Sequence, residues 1–237
     1  MRITRSSIKS LVIRPQANNI CVSFPKSGRT WLRVMLDQLE ISATFTHAGS
    51  QHAQPEPIER IPLIMPRNGD RILFLHRDPI DTAVSGYHQA KKRIRNFEGS
   101  ISEFIRHPHH GVDKIYKFNK MWLDALYDKP NAMTLRYEDL HEHAESALMT
   151  VAFFFNIRPS FSEISRVYEE NRFDKMQKRE LSGSIPARYR EFLSPGDIED
   201  IDSFKVRRGR VKGYLEELSE ADLNWAKARL ESLKCEV

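Results

Sequence analysis

The sequence predicts an α/β fold: a single domain, residues 1–237, with a parallel sheet flanked by helices and a P-loop-like strand-loop-helix near its start. Three observations carry this reading. Short β-branched and aromatic runs alternate with stretches of helical periodicity, the order that puts helices on both faces of a parallel sheet. The first such run is followed at once by a Lys-Ser-Gly turn and an amphipathic helix. Finally, 237 residues without an internal repeat, a low-complexity tract or an interdomain linker fit one large domain.

The elements follow in order. "ICVSF" (20–24) stops at Pro25, and Leu32, Met35, Leu36 and Leu39 behind it fall at helical spacing. "ATFT" (43–46) predicts a second strand ending at His47. Residues 48–70 then carry a long Pro- and Gly-containing loop, and loops of that length usually cover or line a binding surface. "RILFLHR" (71–77) is the strongest strand, and Ile80, Ala83, Val84 and Tyr87 after Pro79 mark an amphipathic helix with proline in its first turn. Ser100 with Glu103 forms a capping box, and Ile115, Asn119, Trp122 and Leu126 share one face of a longer helix. "AMTLRYEDL" (132–140) reads as another strand. Leu148, Val151, Ala152 and Phe155 define the next helix, Ser160 with Glu163 caps another, and Ser219 caps a last one running to about Leu233. Residues 181–205 have weak periodicity and read as a mobile loop, while "KKRIR" (91–95) reads as a solvated helix face.

Composition narrows the function. The balance of 37 basic to 32 acidic side chains gives a net charge of +5, which favours anionic ligands without choosing among them. Two cysteines, Cys21 and Cys235, provide no disulfide framework or metal-ligand spacing and point to a reducing compartment. The first eighteen residues read as a basic tail without the apolar core of an export signal, and no stretch reaches eighteen apolar residues. A soluble, cytoplasmic protein without stable membrane insertion is expected.

The chemistry concentrates in four places. "PKSGRTW" (25–31) differs from the triphosphate loop G-x-x-x-x-G-K-S/T, because Lys26 precedes Gly28 and no glycine opens the turn. Its backbone amides and helix start still suit an anion, with Lys26 adding charge and Thr30 a hydroxyl. Arg77 closes the strongest strand and Ser85 follows two turns into the next helix, at the carboxyl edge where open α/β sheets bind ligands. "VRRGRVKGY" (206–214) adds a third basic cluster, with Gly209 allowing close backbone approach. For a general base, neutral imidazole suits proton abstraction near neutral pH, and among nine histidines His47 closes a strand at that edge. His52, five residues on, is the alternative.

Together these stretches resemble the sulfotransferase family that uses 3′-phosphoadenosine 5′-phosphosulfate. "PKSGRTW" is similar to its PKSGTTW loop, "HRDPIDTAVSGYH" to its R-D/N-P-x-D-x-x-V-S-x-Y block, "LRYEDL" to its R-Y-E-D segment and "RRGRVKGY" to its R-K-G-x-x-G-D-W block. "FDKM" (173–176) is similar to its F-E-x-M stretch, and "FTH" to its T-H catalytic stretch. The resemblance implies that Lys26, Ser27, Gly28, Arg29 and Thr30 hold the phosphosulfate and that Trp31 packs on the adenine. It implies that Arg77, Ser85, Arg207, Arg208 and Gly209 bind the 3′-phosphate, with Tyr137 and Phe173 near the base. Lys26 and Ser85 join His47 as catalytic candidates, and no metal is required.

The implied reaction is sulfuryl transfer to a hydroxyl or amine of a small-molecule, saccharide or lipid acceptor. Its pocket would be shaped by residues 48–70 and 181–205. Arg77, Arg207 and Arg208 are expected to stand unpaired without the 3′-phosphate, and the acidic limb of activity to fall near the ordinary imidazole pKa. Arg29 stands where the family has threonine, and Lys212 and Tyr214 where it has glycine and tryptophan. The competing readings are a P-loop nucleotide or small-molecule kinase, which would need magnesium, and a basic nucleic-acid-binding protein, whose affinity would fall steeply with salt. With nucleic acid not expected as a partner, the sequence leaves the acceptor and the oligomeric state open.

Overall fold

The computed structural model describes residues 18–48, 50, 67 and 69–235. Four strands, β1 (Asn19–Ser23), β2 (Thr44–Thr46), β3 (Arg71–His76) and β4 (Ala132–Arg136), form one parallel sheet in the order β2-β1-β3-β4. The register sets Cys21 opposite both Phe45 and Leu73, and Leu73 opposite Met133. Side chains alternate across a strand, so consecutive apolar residues feed two separate cores. Val22, Phe24, Ile72 and Phe74 pack on one face against α2 (Pro79–His88), α4 (Val112–Leu126) and α10 (Glu220–Cys235). Cys21, Leu73 and Leu75 pack on the other against α1 (Arg29–Gln38), α6 (Ala144–Phe154) and α7 (Phe161–Glu170). The fully buried Trp122 and Phe74 stack at 6.0 Å, each contributing about 1.5–3 kcal/mol by leaving water.

Both expected capping boxes are present, at Ser100 for α3 (Ile101–Arg106) and at Ser160 for α7. The Ser219 hydroxyl accepts the Asp222 amide at 3.1 Å at the start of α10. Three expectations change. The strand expected over 132–140 ends at Arg136, which pairs with His76 at the last position of β3; beyond that edge, Tyr137 opens α5 (Tyr137–Glu142). Glu138 and Asp139 fall in the first turn of α5, where the helix dipole favours acids.

Residues 181–205 also depart from the expected loop. They contain short helical turns at Ala187–Tyr189, α9 (Arg190–Leu193) and Ile201–Ser203, following α8 (Phe173–Ser182). Ile185, Tyr189 and Leu193, four apart, are buried against Val34 and Met176, and the Tyr189 hydroxyl donates to Asp37. A helical repeat this short is hard to distinguish from chance in a polar stretch. "KKRIR", in turn, lies mostly in a π-helical turn (Gln89–Ile94) and ties that segment down instead of facing only solvent. Lys92 pairs with Asp200 at 3.1 Å, while Arg93 donates to the Ser203 carbonyl at 3.3 Å. The expected tail is described only at Asn18, and the loop 48–70 only at Ala48, Ser50, Arg67, Gly69 and Asp70; His52 lies outside the described residues.

Candidate active site

The strand order changes direction between β1 and β3, and at such a switch point the loops after the strands diverge and leave a crevice. Lys26 follows β1 and Arg77 follows β3, so the two border that crevice from either side. The β1–α1 loop is shaped by two left-handed residues, Lys26 at φ 73° and Gly28 at φ 92°. At Gly28 a Cβ would lie 2.4 Å from Cδ2 of Tyr137, so glycine is required both by the turn and by the ring against it. The first turn of α1 has no side-chain cap, which leaves its amides available to an anion.

A cavity of about 470 Å³ opens over this loop. Of the residues named from the sequence for cofactor binding, all but Ser27 line it, and His47 lines it too. Ser27 is buried beneath, its Oγ without a hydrogen-bond partner. The Arg77 guanidinium lies 4.2 Å from the Tyr137 ring centroid and donates to the carbonyls of Lys26 (3.4 Å) and Arg210 (2.9 Å). Its Nε is also buried without a partner. Trp31 donates its indole N–H to the Asn171 carbonyl at 2.7 Å, and its ring meets Tyr137 and His141 edge-on, both at 6.2 Å.

The basic segment 206–214 is held by groups far away in sequence. Asp81, almost fully buried, accepts the amides of Lys212 (2.7 Å) and Tyr214 (3.3 Å). Lys212 takes the left-handed conformation itself, at φ 59°, and Tyr214 is buried in the core against α2. Both departures from the family pattern are therefore accommodated. His141 donates from Nε2 to the Gly209 carbonyl at 2.5 Å. Gly209 has φ 57°, and a Cβ there would lie 1.9 Å from Cδ2 of Phe173.

The arginines do not stand unpaired, contrary to expectation. Arg77 lies 3.6 Å from Asp81, Arg207 lies 2.6 Å from Glu217 and 3.4 Å from Asp202, and Arg208 lies 3.4 Å from Glu216. Glu217 also receives His88 at 2.5 Å. Burial opposes its ionisation, but the hydrogen bonds from His88 and Arg207 prevail and hold the carboxyl at about 2. These carboxylates arrive from helices and turns outside the basic run, so its composition gave no sign of them.

Lys26 donates to Gln89 Oε1 at 3.2 Å. Burial first, and then Lys205, Arg93 and Arg207, push its pKa well below the usual lysine range. The buried Glu180 accepts the amides of Lys205 (2.6 Å) and Val206 (2.8 Å). His47 has Nδ1 2.8 Å from the Ser23 carbonyl, so Nδ1 carries the proton and Nε2 is left unprotonated. Burial, followed by the charge of Arg29, lowers its pKa to about 3. This lies below the ordinary imidazole value near which the acidic limb is expected. Sequence reading missed Gln89, His141 and Lys205 as lining residues and Asp81 and Glu217 as the anchors of the basic segment.

Comparison with known proteins bears on this arrangement. A family model described as "Sulfotransferase domain" matches residues 57–227. Luciferin sulfotransferase of Photinus pyralis is 26% identical over 164 residues, spanning 65% of this chain but only 42% of that protein. The 3-beta-hydroxysteroid sulfotransferase of Cavia porcellus is 23% identical over 230 residues, covering 82% of this chain and 75% of the relative. Among solved structures, mouse sulfotransferase SULT7A1 complexed with PAP shares the fold with a TM-score of 0.67 at 18% identity, over 90% of this chain and 81% of its own. Retinol dehydratase in complex with androsterone and inactive cofactor PAP gives 0.65 at 16% identity, over 91% and 80%.

Proposed function

The chain belongs to the sulfotransferase family, and from that premise we propose that it moves a sulfuryl group from 3′-phosphoadenosine 5′-phosphosulfate to a hydroxyl or amine of an acceptor, releasing adenosine 3′,5′-bisphosphate. The observation that supports this most is the convergence, at one switch-point cavity, of the uncapped start of α1, Lys26, Arg77 and the anchored segment 207–209. The residues fit the donor. Ser27 Oγ and Arg77 Nε are buried polar atoms in want of a partner, and Gly28 and Gly209 sit where a side chain would close the site. Arg77, Ser85, Arg207, Arg208 and Gly209 would take the 3′-phosphate, Trp31, Tyr137 and Phe173 the base, and Lys26 to Thr30 the phosphosulfate. When bound, the donor supplies the sulfuryl group and a stable leaving phosphate.

The chain's own groups do the rest. His47 Nε2 accepts the acceptor's proton as the new sulfur–oxygen bond forms, and the Ser23 carbonyl keeps the tautomer that leaves Nε2 free to do so. Lys26, whose charged form a bound phosphosulfate would favour against burial and the neighbouring cations, places positive charge where the broken bond leaves negative charge, and Ser85 keeps it aligned. The low dielectric of the cavity strengthens both effects. This reading extends to a single domain in the cytoplasm acting on a small-molecule, saccharide or lipid acceptor without a metal. Among the described residues no helix is long and apolar enough to cross a membrane, and no group of three or more acids, histidines or cysteines is placed to hold a metal.

Calorimetry with adenosine 3′,5′-bisphosphate, 5′-AMP and ATP with magnesium tests the proposal. Charge-assisted hydrogen bonds to the 3′-phosphate are each worth about 1.5–3 kcal/mol, so the bisphosphate should bind about tenfold to a hundredfold more tightly than 5′-AMP. Equal affinity for the two overturns the assignment.

A further inference from the structure

The cations of the cavity divide into two kinds. Arg77, Arg207, Arg208 and Arg210 have carboxylate partners, and Lys26 donates to Gln89. The side chains of Arg29 and Lys205 line the same cavity as His47, yet neither side chain makes a hydrogen bond or ion pair with any described residue. Neither is in open solvent; both are partly buried. Their sources differ, since Arg29 opens α1 and Lys205 precedes the basic segment, so the pairing is a product of the fold. The buried carboxylate whose charge acts on Lys205, Glu180, is already committed to the amides of Lys205 and Val206 and to Arg93.

A cation withdrawn from water without a partner is unfavourable, and two beside each other more so. Repulsion and burial show in both: burial and then Arg93 and Arg29 bring Lys205 down to about 8 against the opposing pull of Glu180, and burial and then Arg33 bring Arg29 to about 10 against the opposing pull of Cys21. A site that holds such charges is completed by a ligand that brings the anion. Lys26, Thr30 and the uncapped helix start already supply a charge, a hydroxyl and several amides to the phosphosulfate. At the phosphosulfate Arg29 contributes its backbone amide; its guanidinium and the Lys205 ammonium stand in excess of these groups, and both charges act on His47.

Resting on the sulfuryl-transfer reading, we propose that the acceptor is itself an oxyanion: it carries a carboxylate, sulfate ester or phosphate ester, bound between Arg29 and Lys205, close to the hydroxyl or amine that His47 deprotonates. Neutral phenols and alcohols of the same shape would then be poor acceptors.

The test uses the full chain saturated with adenosine 3′,5′-bisphosphate. Calorimetric affinities are measured for three matched pairs: 4-hydroxyphenylacetate and its amide, galacturonate and galactose, and glycerol 3-phosphate and glycerol. At least one anion should bind about tenfold or more tightly than its neutral partner, and Arg29→Gln and Lys205→Gln should each reduce that ratio several-fold. If no pair favours the anion, or if the ratio survives both substitutions, the proposal is overturned. A loss of bisphosphate affinity in the variants with an unchanged ratio assigns both cations to the donor and also overturns it. Failure of the wild-type chain to bind the bisphosphate at all is a separate result, which removes the sulfuryl-transfer reading and this proposal with it.

Discussion

Replacing His47 by Gln should make the protein relatively more stable in acid, although it removes the proposed base. The folded imidazole titrates at about 3, lowered first by burial and then by the charge of Arg29, whereas in the unfolded chain it titrates near the ordinary value of 6.5. Between these values the unfolded chain binds a proton that the folded chain does not, so stability rises with pH and is lost as pH falls below about 6.5. From pH 7 to pH 4.5 the loss through this one site is about 2–3 kcal/mol, two pH units below the unfolded pKa at about 1.4 kcal/mol each. His110, lowered to about 4 mainly by burial, adds a loss of the same sign to both proteins and cancels in the difference. Urea unfolding of the wild type and His47→Gln at pH 7, 6, 5.25 and 4.5 measures that difference directly. It should shift by about 2–3 kcal/mol in favour of the variant across the range. A difference that stays constant with pH would refute the burial of His47, and with it the argument that a neutral Nε2 is held ready at neutral pH.

The catalytic counterpart is His47→Ala, which should lower turnover by about 10² or more while bisphosphate affinity persists; normal turnover would place the base elsewhere. Lys26→Ala should lower turnover by about 10² to 10³ and bisphosphate affinity far less, a split read from kinetics against calorimetry. Gly209→Ala forces a Cβ into the Phe173 ring at φ 57° and should weaken bisphosphate binding, with Phe173→Leu restoring part of it; an Ala variant that binds normally would show that the close approach has no role. Glu217→Gln, which removes the charge shared by Arg207 and His88, should destabilise the fold by about 1.5–3 kcal/mol in urea unfolding at pH 7. An unchanged midpoint would mean that Asp202 alone suffices to hold Arg207.

Local chemistry made much of this protein legible before folding. Turn residues, caps and hydrophobic periodicity act over a few positions, which is why the β1-loop-α1 unit, the helix after Pro79 and the capping boxes at Ser100 and Ser160 stand where the sequence placed them. The parallel sheet followed from the alternation of strands and helices, and three motif stretches meet at one cavity because their strands end at the same edge, while Asp81 ties the strandless fourth, 206–214, beside them. What only the tertiary structure decided is the state of the charges there. Asp81 reaches Lys212 across 131 residues, Glu217 joins His88 across 129, and Tyr214 leaves the basic run for the core. The weakly periodic segment 181–205 is organised by contacts with α1 and the turn at 89–94, partners that no window within the segment contains. Ion pairing and burial depend on groups brought together by the whole fold, so the sequence could name cations of the site other than Lys205 but not say which of them are already neutralised. That division, with Arg77, Arg207 and Arg208 paired and Arg29 and Lys205 without a described partner, is a property of the assembled sheet edge and of nothing shorter.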